Sequence, residues 1–310
     1  MRVLITGGAG HFGPIVCSAF LRDGADVRVL LHRRKMKGLD TGLEIMWGDL
    51  TQPNTVERLV EGVDAVVHLA AMVQPMTEQS PELATRINVG GTQTIVDLLK
   101  ERGASIPFVY ISSAAVFGPT PDATECLHPD RNQCNPTSVY ARTKVQAEGL
   151  IRESGIDYVI LRLTSVPYPK VSMGDMKTQM FIVPLENRVE FCHPDDATLA
   201  ILNSVKWFDK VKGKTLMIGG GPSQRIQYKD MVGAALGTFG LPLPPRHKFS
   251  EEPFALDWYD TSESQELLQY QHKTLDDYSR DLASQFPAPM IALMRRAVGP
   301  ALGRLIVRLM

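Results

Sequence analysis

Short apolar stretches punctuate the first half of the chain at Arg2–Thr6, Val27–Leu31, Leu43–Trp47, Ala65–Leu69, Phe108–Ser112 and Tyr158–Leu163. They are rich in Val, Ile and Leu and do not alternate with polar residues, which predicts parallel strands covered on both faces. Between them, Pro14–Arg22, Pro53–Glu61, Ala84–Glu101 and Tyr140–Ser154 carry the apolar spacing of helices packed on a sheet. This alternation of strand and helix predicts an α/β fold with a doubly wound parallel sheet and right-handed crossovers. Its ligand is expected at the carboxyl ends of the strands.

Past Leu163 the rhythm loosens. Thr164–Pro194 is proline-rich and irregular, Asp195–Trp207 reads as a helix started by Pro194-Asp195-Asp196, and Thr215–Ile218 reads as a further strand. Lys229–Phe239 is a helix ended by the stiff Leu241-Pro242-Leu243-Pro244-Pro245. This divides the chain into a dinucleotide-sized unit over 1–164, rejoined by 195–221, and a smaller C-terminal substrate lobe from 165–194 and 222–286. A cationic amphipathic tail follows at 287–310.

The bulk properties narrow the function. Thirty-three basic against 34 acidic residues leave a formal charge of -1, which gives nucleic acid no electrostatic footing and points to a small-molecule substrate. Cys17, Cys126, Cys134 and Cys192 form no C-x-x-C pair, so reduced thiols in a cytoplasm are expected, with neither zinc nor disulfides. Met1–Thr6 enters a glycine turn directly and leaves no room there for a signal peptide.

Gly7-Gly8-Ala9-Gly10-His11-Phe12-Gly13 places glycines at 7, 10 and 13 between the first strand and the first helix. Such a turn lets backbone approach a pyrophosphate, and the helix N-terminus offers it free N–H groups and positive partial charge. The sheet is therefore expected to be Rossmann-type, with Gly7, Gly10, His11, Phe12 and Gly13 at the dinucleotide. An NAD site usually has an acidic residue at the end of the second strand. Here that strand ends in Leu31 and runs on into His32-Arg33-Arg34-Lys35, which favours the 2'-phosphate of NADP, with NAD as the alternative. Asp49 and Leu50, after the third strand, are placed to meet the adenine edge.

Tyr140 and Lys144 stand four apart on one helix face. A lysine ammonium lowers a nearby phenol from its usual pKa of about 10, so that it can exchange a proton with a substrate oxygen near neutral pH. Ser113, closing the fifth strand, supplies a hydroxyl to hold that oxygen.

The same residues resemble the extended short-chain dehydrogenase/reductases, also called the NAD-dependent epimerase/dehydratase family. The likeness rests on Thr6–Gly13, Gly48-Asp49-Leu50, His68-Leu69-Ala70-Ala71, Asn88-Val89-Gly90-Gly91-Thr92, Ser112–Gly118 and Tyr140-Ala141-Arg142-Thr143-Lys144, in family order. It implies that Tyr140 is the general acid/base, that Lys144 binds the nicotinamide ribose and that Ser113 orients the substrate. Leu69, Ala70, Ala71 and Ile111 would line the cofactor, Leu163, Thr164 and Ser165 would flank its nicotinamide, and Asn88 would have a structural role beside the site. A homodimer built on the Ala84–Glu101 and Tyr140–Ser154 helices is also implied. Three departures stand out. Leu31 replaces an acidic residue, Phe117 replaces a frequent tyrosine, and the short span from Val166 to Phe191 offers only Lys170, Lys177 and Arg188 to a nucleotide diphosphate.

Two features remain. His193-Pro194-Asp195-Asp196 has metal-ligating residue types but reads as a helix cap, and no metal is expected. The tail has four arginines, no acids and many apolar residues, with Gly299-Pro300 interrupting it. That composition suits peripheral membrane contact, a lid or dimer arm, or a helix packed on the body. The expected activity is hydride transfer between a nicotinamide and a secondary alcohol or ketone. The alternatives are a nucleotide-sugar epimerase or dehydratase that retains NAD, and a catalytically silent cofactor-sensing regulator.

Overall fold

The computed structural model describes residues 1–36, 41–103, 105–167 and 180–297. Lys170, Lys177 and the tail beyond Ala297 lie outside the described residues.

All six predicted strands form, as β1 (Arg2–Thr6), β2 (Asp26–Leu31), β3 (Leu43–Trp47), β4 (Ala65–His68), β5 (Phe108–Ser113) and β6 (Tyr158–Leu163). The short β7 (Arg188–Glu190) follows, then β8 (Thr215–Ile218) and β9 (Arg225–Gln227). The main sheet runs β3-β2-β1-β4-β5-β6-β8, parallel at every pairing. The chain leaves β3 at one edge and returns beside β1 as β4, so the order reverses between β1 and β4. In doubly wound sheets that reversal opens the ligand crevice at the strand ends.

Two apolar layers cover the sheet. On one face α1 (Gly13–Arg22) buries Val16, Cys17 and Phe20 against Val3, Ile5, Val27 and Val29. On the other, the helix ending at Arg102 buries Ile95, Val96 and Leu99, and Ala147 and Ile151 come from the helix after Ser138, against Leu4, Val66 and Tyr110. Each of the larger aliphatic and Phe side chains contributes about 1.5–3 kcal/mol by leaving water.

Two predicted helices differ in detail. Pro53–Glu61 forms only a single 3-10 turn at Pro53–Thr55, followed by turns. The Thr55 hydroxyl bonds the carbonyls of Gln52 and Asp49 at 2.9 and 3.1 Å, and Val56 and Leu59 donate three residues back, to Pro53 and Val56. Local hydroxyl bonds thus replace the α ladder, while Val56, Leu59 and Val60 are still buried. The Ala84–Glu101 pattern also begins earlier and is interrupted. After α2 (Met76–Gln79), α3 (Pro81–Thr85) passes into a π-helical turn at Arg86–Gly90 before α4 (Gly91–Arg102). The next helix, α5 (Val139–Glu153), is capped by the Ser138 hydroxyl, which accepts the Ala141 amide.

After β6, α6 (Pro194–Lys206) and α7 (Phe208–Val211) return to the sheet. A separate apolar cluster forms around the antiparallel β7–β9 pair and α8 (Tyr228–Gly237), with Val183, Leu185, Val189, Tyr228 and Val232 at its centre. The helices α9 (Ser262–Leu268), α10 (Leu275–Ser284) and α11 (Ala288–Ala297) complete the described chain. α11 docks through Ile291, buried with Phe239, Tyr278 and Leu282, and Arg295 Nε donates to the Thr238 carbonyl at 3.0 Å. The first part of the tail therefore packs on the body. Among the described residues no helix is long and apolar enough to cross a membrane.

Candidate active site

The glycine turn is dictated by contact. Gly7 has φ +75°, and a Cβ there would lie 2.6 Å from the Ala70 amide nitrogen; a Cβ on Gly13 would lie 2.3 Å from the Gly8 carbonyl oxygen. β1 and β4 can therefore approach at their ends, and α1 can start against the turn, only without side chains. α1 has no side-chain cap and no acidic residue in its first turn, so no side chain there offsets the positive partial charge of the helix N-terminus.

The other predicted positions lie along the same carboxyl edge. His32, Arg33 and Arg34 follow β2 and are exposed, and Asp49 and Leu50 follow β3. Leu69, Ala70 and Ala71 follow β4, Ser113 ends β5, and Leu163, Thr164 and Ser165 end and follow β6. The His32 imidazole is not free of partners: its Nε2 lies 3.3 Å from the Asp49 carboxylate. Burial works against the charge on Asp49. Hydrogen bonds from Thr51, and the nearby His32 and Arg33, outweigh it and bring the carboxyl below its ordinary value.

Tyr140 and Lys144 occupy the first turns of α5. Lys144 is buried, its ammonium donates to the Ile111 carbonyl at 2.7 Å, and it lies 4.7 Å from the Tyr110 ring centre and 5.9 Å from that of Tyr140. Burial lowers its pKa from 10.5 to about 7, with Glu148 pulling the other way. Ser113 accepts the Ala115 amide at 3.2 Å, which uses an oxygen lone pair and not the hydroxyl proton.

A buried relay joins these parts. The Thr92 hydroxyl donates to the Asn88 carbonyl at 2.6 Å, so at the 3.0 Å contact between Thr92 and His68 the Nε2 of His68 must donate. His68 Nδ1 then accepts from Thr6, 2.6 Å away, and the Thr6 oxygen accepts the Ala70 amide at 3.3 Å. Burial and the Lys144 charge hold His68 neutral, its pKa lowered to about 3. On the far side Asn88 exchanges hydrogen bonds with the Met72 backbone at 2.7 and 2.9 Å and donates to the Thr143 hydroxyl at 2.9 Å. Thr143 in turn donates to the Tyr140 carbonyl at 2.7 Å.

The His193 cluster is built differently. His193 Nδ1 accepts the Asp195 amide at 3.1 Å as the cap of α6, so its proton sits on Nε2, 3.3 Å from Asp281. The Lys273 ammonium already lies 2.6 Å from Asp195 and 3.0 Å from Asp281. His193, Asp195 and Asp281 are close enough together to ligate an ion, and here the Lys273 ammonium pairs with both carboxylates.

A model of the NAD-dependent epimerase/dehydratase family matches residues 3–219. The chain belongs to that family. It is 32% identical to the uncharacterized protein y4nG of Sinorhizobium fredii, over 66% of this chain and 54% of that protein. It is 30% identical to a 3 beta-hydroxysteroid dehydrogenase/Delta 5-->4-isomerase of Mycobacterium tuberculosis, over 58% of this chain and 49% of that one. The chain thus spans about half the length of the curated relatives it matches. The fold is similar to the UDP-glucuronic acid 4-epimerase of Bacillus cereus, solved with UDP-glucuronic acid and NAD. There the TM-score is 0.76 at 20% identity, covering 95% of this chain and 100% of that one.

Three residues outside the expected site set join its hydrogen-bond network: His68, Thr92 and Glu148. His68 and Thr92 stand in quoted motifs, but only the fold reveals that they bond to each other. The third, Glu148, lies four residues past Lys144 on the same helix face, a spacing that could have revealed it.

Proposed function

We propose that the protein is an NAD(P)-dependent oxidoreductase that transfers hydride between a nicotinamide and a secondary alcohol or ketone, with Tyr140 as acid/base. The reading is carried by Lys144, buried between the ring of Tyr140 and the carbonyl of Ile111, which lies on the strand that Ser113 ends. A cation so placed stabilises a phenolate as it forms. Tyr140 can then give a proton to, or take one from, a substrate oxygen held by the Ser113 hydroxyl.

The residues present fit a dinucleotide. The turn at Gly7 and Gly13 packs backbone on backbone with no room for a Cβ, as a side-chain-free dinucleotide turn requires, and the buried Thr164 hydroxyl has no hydrogen-bond partner among the described residues. The cofactor, when bound, supplies the hydride acceptor or donor. The chain's own part is to hold it at the glycine turn, with Leu69, Ala70, Ala71, Ile111 and Leu163–Ser165 as lining, and to move the proton. Exposed Arg33 and Arg34 support NADP.

A second reading, an epimerase or dehydratase with retained NAD, is favoured by the Asp49 carboxylate that partly neutralises the basic cluster through His32. Against a nucleotide-diphosphate substrate stands Arg188. It donates to the carbonyls of Ala123 and Glu125, lies 2.7 Å from Asp257, and packs over Trp258, so its charge is already used inside the protein.

Titration calorimetry of the purified protein with NADPH and NADH, beside an assay for bound dinucleotide, tests the choice. An empty site preferring NADPH supports the reductase; tightly retained NAD moves the epimerase or dehydratase reading to first place.

A further inference from the structure

Glu148 stands two turns past Tyr140 and one past Lys144 on α5 and is fully buried. A carboxylate in such a place needs partners on both oxygens, and it has them. Oε1 accepts the Ser112 hydroxyl at 2.6 Å and Arg162 Nε at 2.9 Å; Oε2 accepts Arg162 Nη2 at 2.7 Å and Arg152 Nη2 at 2.9 Å. These bonds hold the carboxyl below its ordinary range in spite of burial.

Arg162, itself buried in β6, extends the pair. It donates to the Pro129 carbonyl at 3.2 Å and to Cys134 Sγ at 3.3 Å, and its guanidinium lies 5.0 Å from the Phe117 ring centre. Phe117 ends the 3-10 turn that begins just after Ser113, and Pro129 and Cys134 belong to the loop that leads to Ser138 and α5. One ion pair therefore reaches each segment that presents a candidate catalytic group: the end of β5, the turn after it, the entry to α5, and α5 itself. Charge completes the argument. Lys144, Arg162 and Arg152 bring three cations to this part of the structure, and Glu148 is the anion that Arg162 and Arg152 contact and that acts on Lys144.

We propose that Glu148 is a positioning residue of the active site, fixing Ser113 against Tyr140 through Ser112 and Arg162 and supplying the anion against which Lys144 carries its charge. It acts through those groups and does not touch substrate. This inference rests on the reading of Tyr140 and Lys144 given above, yet part of its test needs no substrate.

Lysines labelled with 13C at Cε report the Lys144 titration by NMR, assigned with Lys144→Met. In Glu148→Gln the Lys144 midpoint is expected to fall by at least one pH unit, and in Glu148→Asp, which keeps the charge, by less than half a unit. An unchanged midpoint in Glu148→Gln overturns the proposal whatever the enzyme does. With NADPH and a ketone that the wild-type protein reduces, Glu148→Gln should lose at least tenfold in kcat with KM changed less than threefold. The alkaline limb of kcat should move to lower pH, and Glu148→Asp should restore most of the loss. A loss in kcat that is equal in both variants, with no shift of the limb, also overturns it. Should Glu148→Gln fail to fold, Ser112→Ala removes only the 2.6 Å bond. A several-fold fall in kcat at constant KM is expected there, and an unaltered kcat rejects the positioning role. Failure of the oxidoreductase reading would appear separately, as absence of NADPH-dependent turnover in the wild type.

Discussion

The side-chain amide of Asn88 donates to the hydroxyl of Thr143 at 2.9 Å, tying the π-helical turn before α4 to the helix that carries Tyr140 and Lys144. Asn88 is buried, and its side chain makes two more hydrogen bonds, both to Met72. Replacing it by Ala leaves the part-buried Met72 amide and carbonyl without these partners. With about 1 kcal/mol for each bond lost and more for each orphaned group, Asn88→Ala should destabilise the fold by about 2–4 kcal/mol. Urea unfolding measures this, and a loss below about 1 kcal/mol would contradict the bonding described.

Tyr140→Phe removes the phenolic proton and keeps the ring. Turnover should fall by about 100-fold or more, the usual contribution of a general acid/base. Cofactor affinity by calorimetry should stay within threefold. Undiminished turnover would end the proposed role of Tyr140.

Lys144 gives stability a pH dependence of definite sign. Its pKa is about 7 in the fold against 10.5 in a free lysine, so between these values the unfolded chain binds the extra proton. Stability contributed at this position therefore rises with pH across that window, and the burial penalty is largest below it. Lys144→Met should gain on the wild-type protein at pH 6.5 and lose about 2 kcal/mol of that advantage by pH 9. Paired urea titrations at the two values measure it; an advantage independent of pH would mean that Lys144 keeps its ordinary pKa and stays charged in the fold.

Gly7 and Gly24 share a left-handed backbone, with φ +75° and +83°, but a Cβ at Gly7 meets the Ala70 backbone and one at Gly24 meets nothing within 4 Å. Gly24→Ala should cost about 1 kcal/mol, from conformation alone. Gly7→Ala should cost more and weaken dinucleotide binding at least tenfold, by calorimetry. Equal behaviour of the two variants would remove the close approach of β1 and β4 as the reason for Gly7.

Arg33 and Arg34 are exposed beyond β2. If they meet a 2'-phosphate, the double change to Ala should weaken NADPH by about tenfold and leave NADH within twofold. Parallel losses for both cofactors would speak against a 2'-phosphate contact.

The sheet was legible because parallel strands buried on both faces need continuous apolar runs, and the runs match β1 to β6 within one or two residues; β3, at the sheet edge, departs from the expected burial, with Glu44, Ile45 and Trp47 exposed. The glycine turn was legible for a related reason: Gly7 and Gly13 sit where no side chain fits. Pro53–Glu61 misled because Val56, Leu59 and Val60 have helical spacing, whereas the Thr55 hydroxyl decides the backbone. Of the candidate site, Tyr140 and Lys144 announce themselves by spacing. Glu148 pairs with Arg162 on β6 and Ser112 on β5, a meeting that only the fold creates. The β7–β9 pair escaped notice because three-residue strands leave too short a pattern.

The turn at Arg86–Gly90 holds more residues per revolution than the helix on either side. The surplus acts as a phase shifter. It lets α4 keep Ile95, Val96 and Leu99 in register with the sheet while Asn88, upstream, is aimed independently at Thr143. Shortening this turn by one residue would let the helix heal into an unbroken α ladder, and its two halves would rotate against each other by about 100°. A deletion that looks harmless to helical propensity would thus uncouple the face that holds the fold from the face that serves the site.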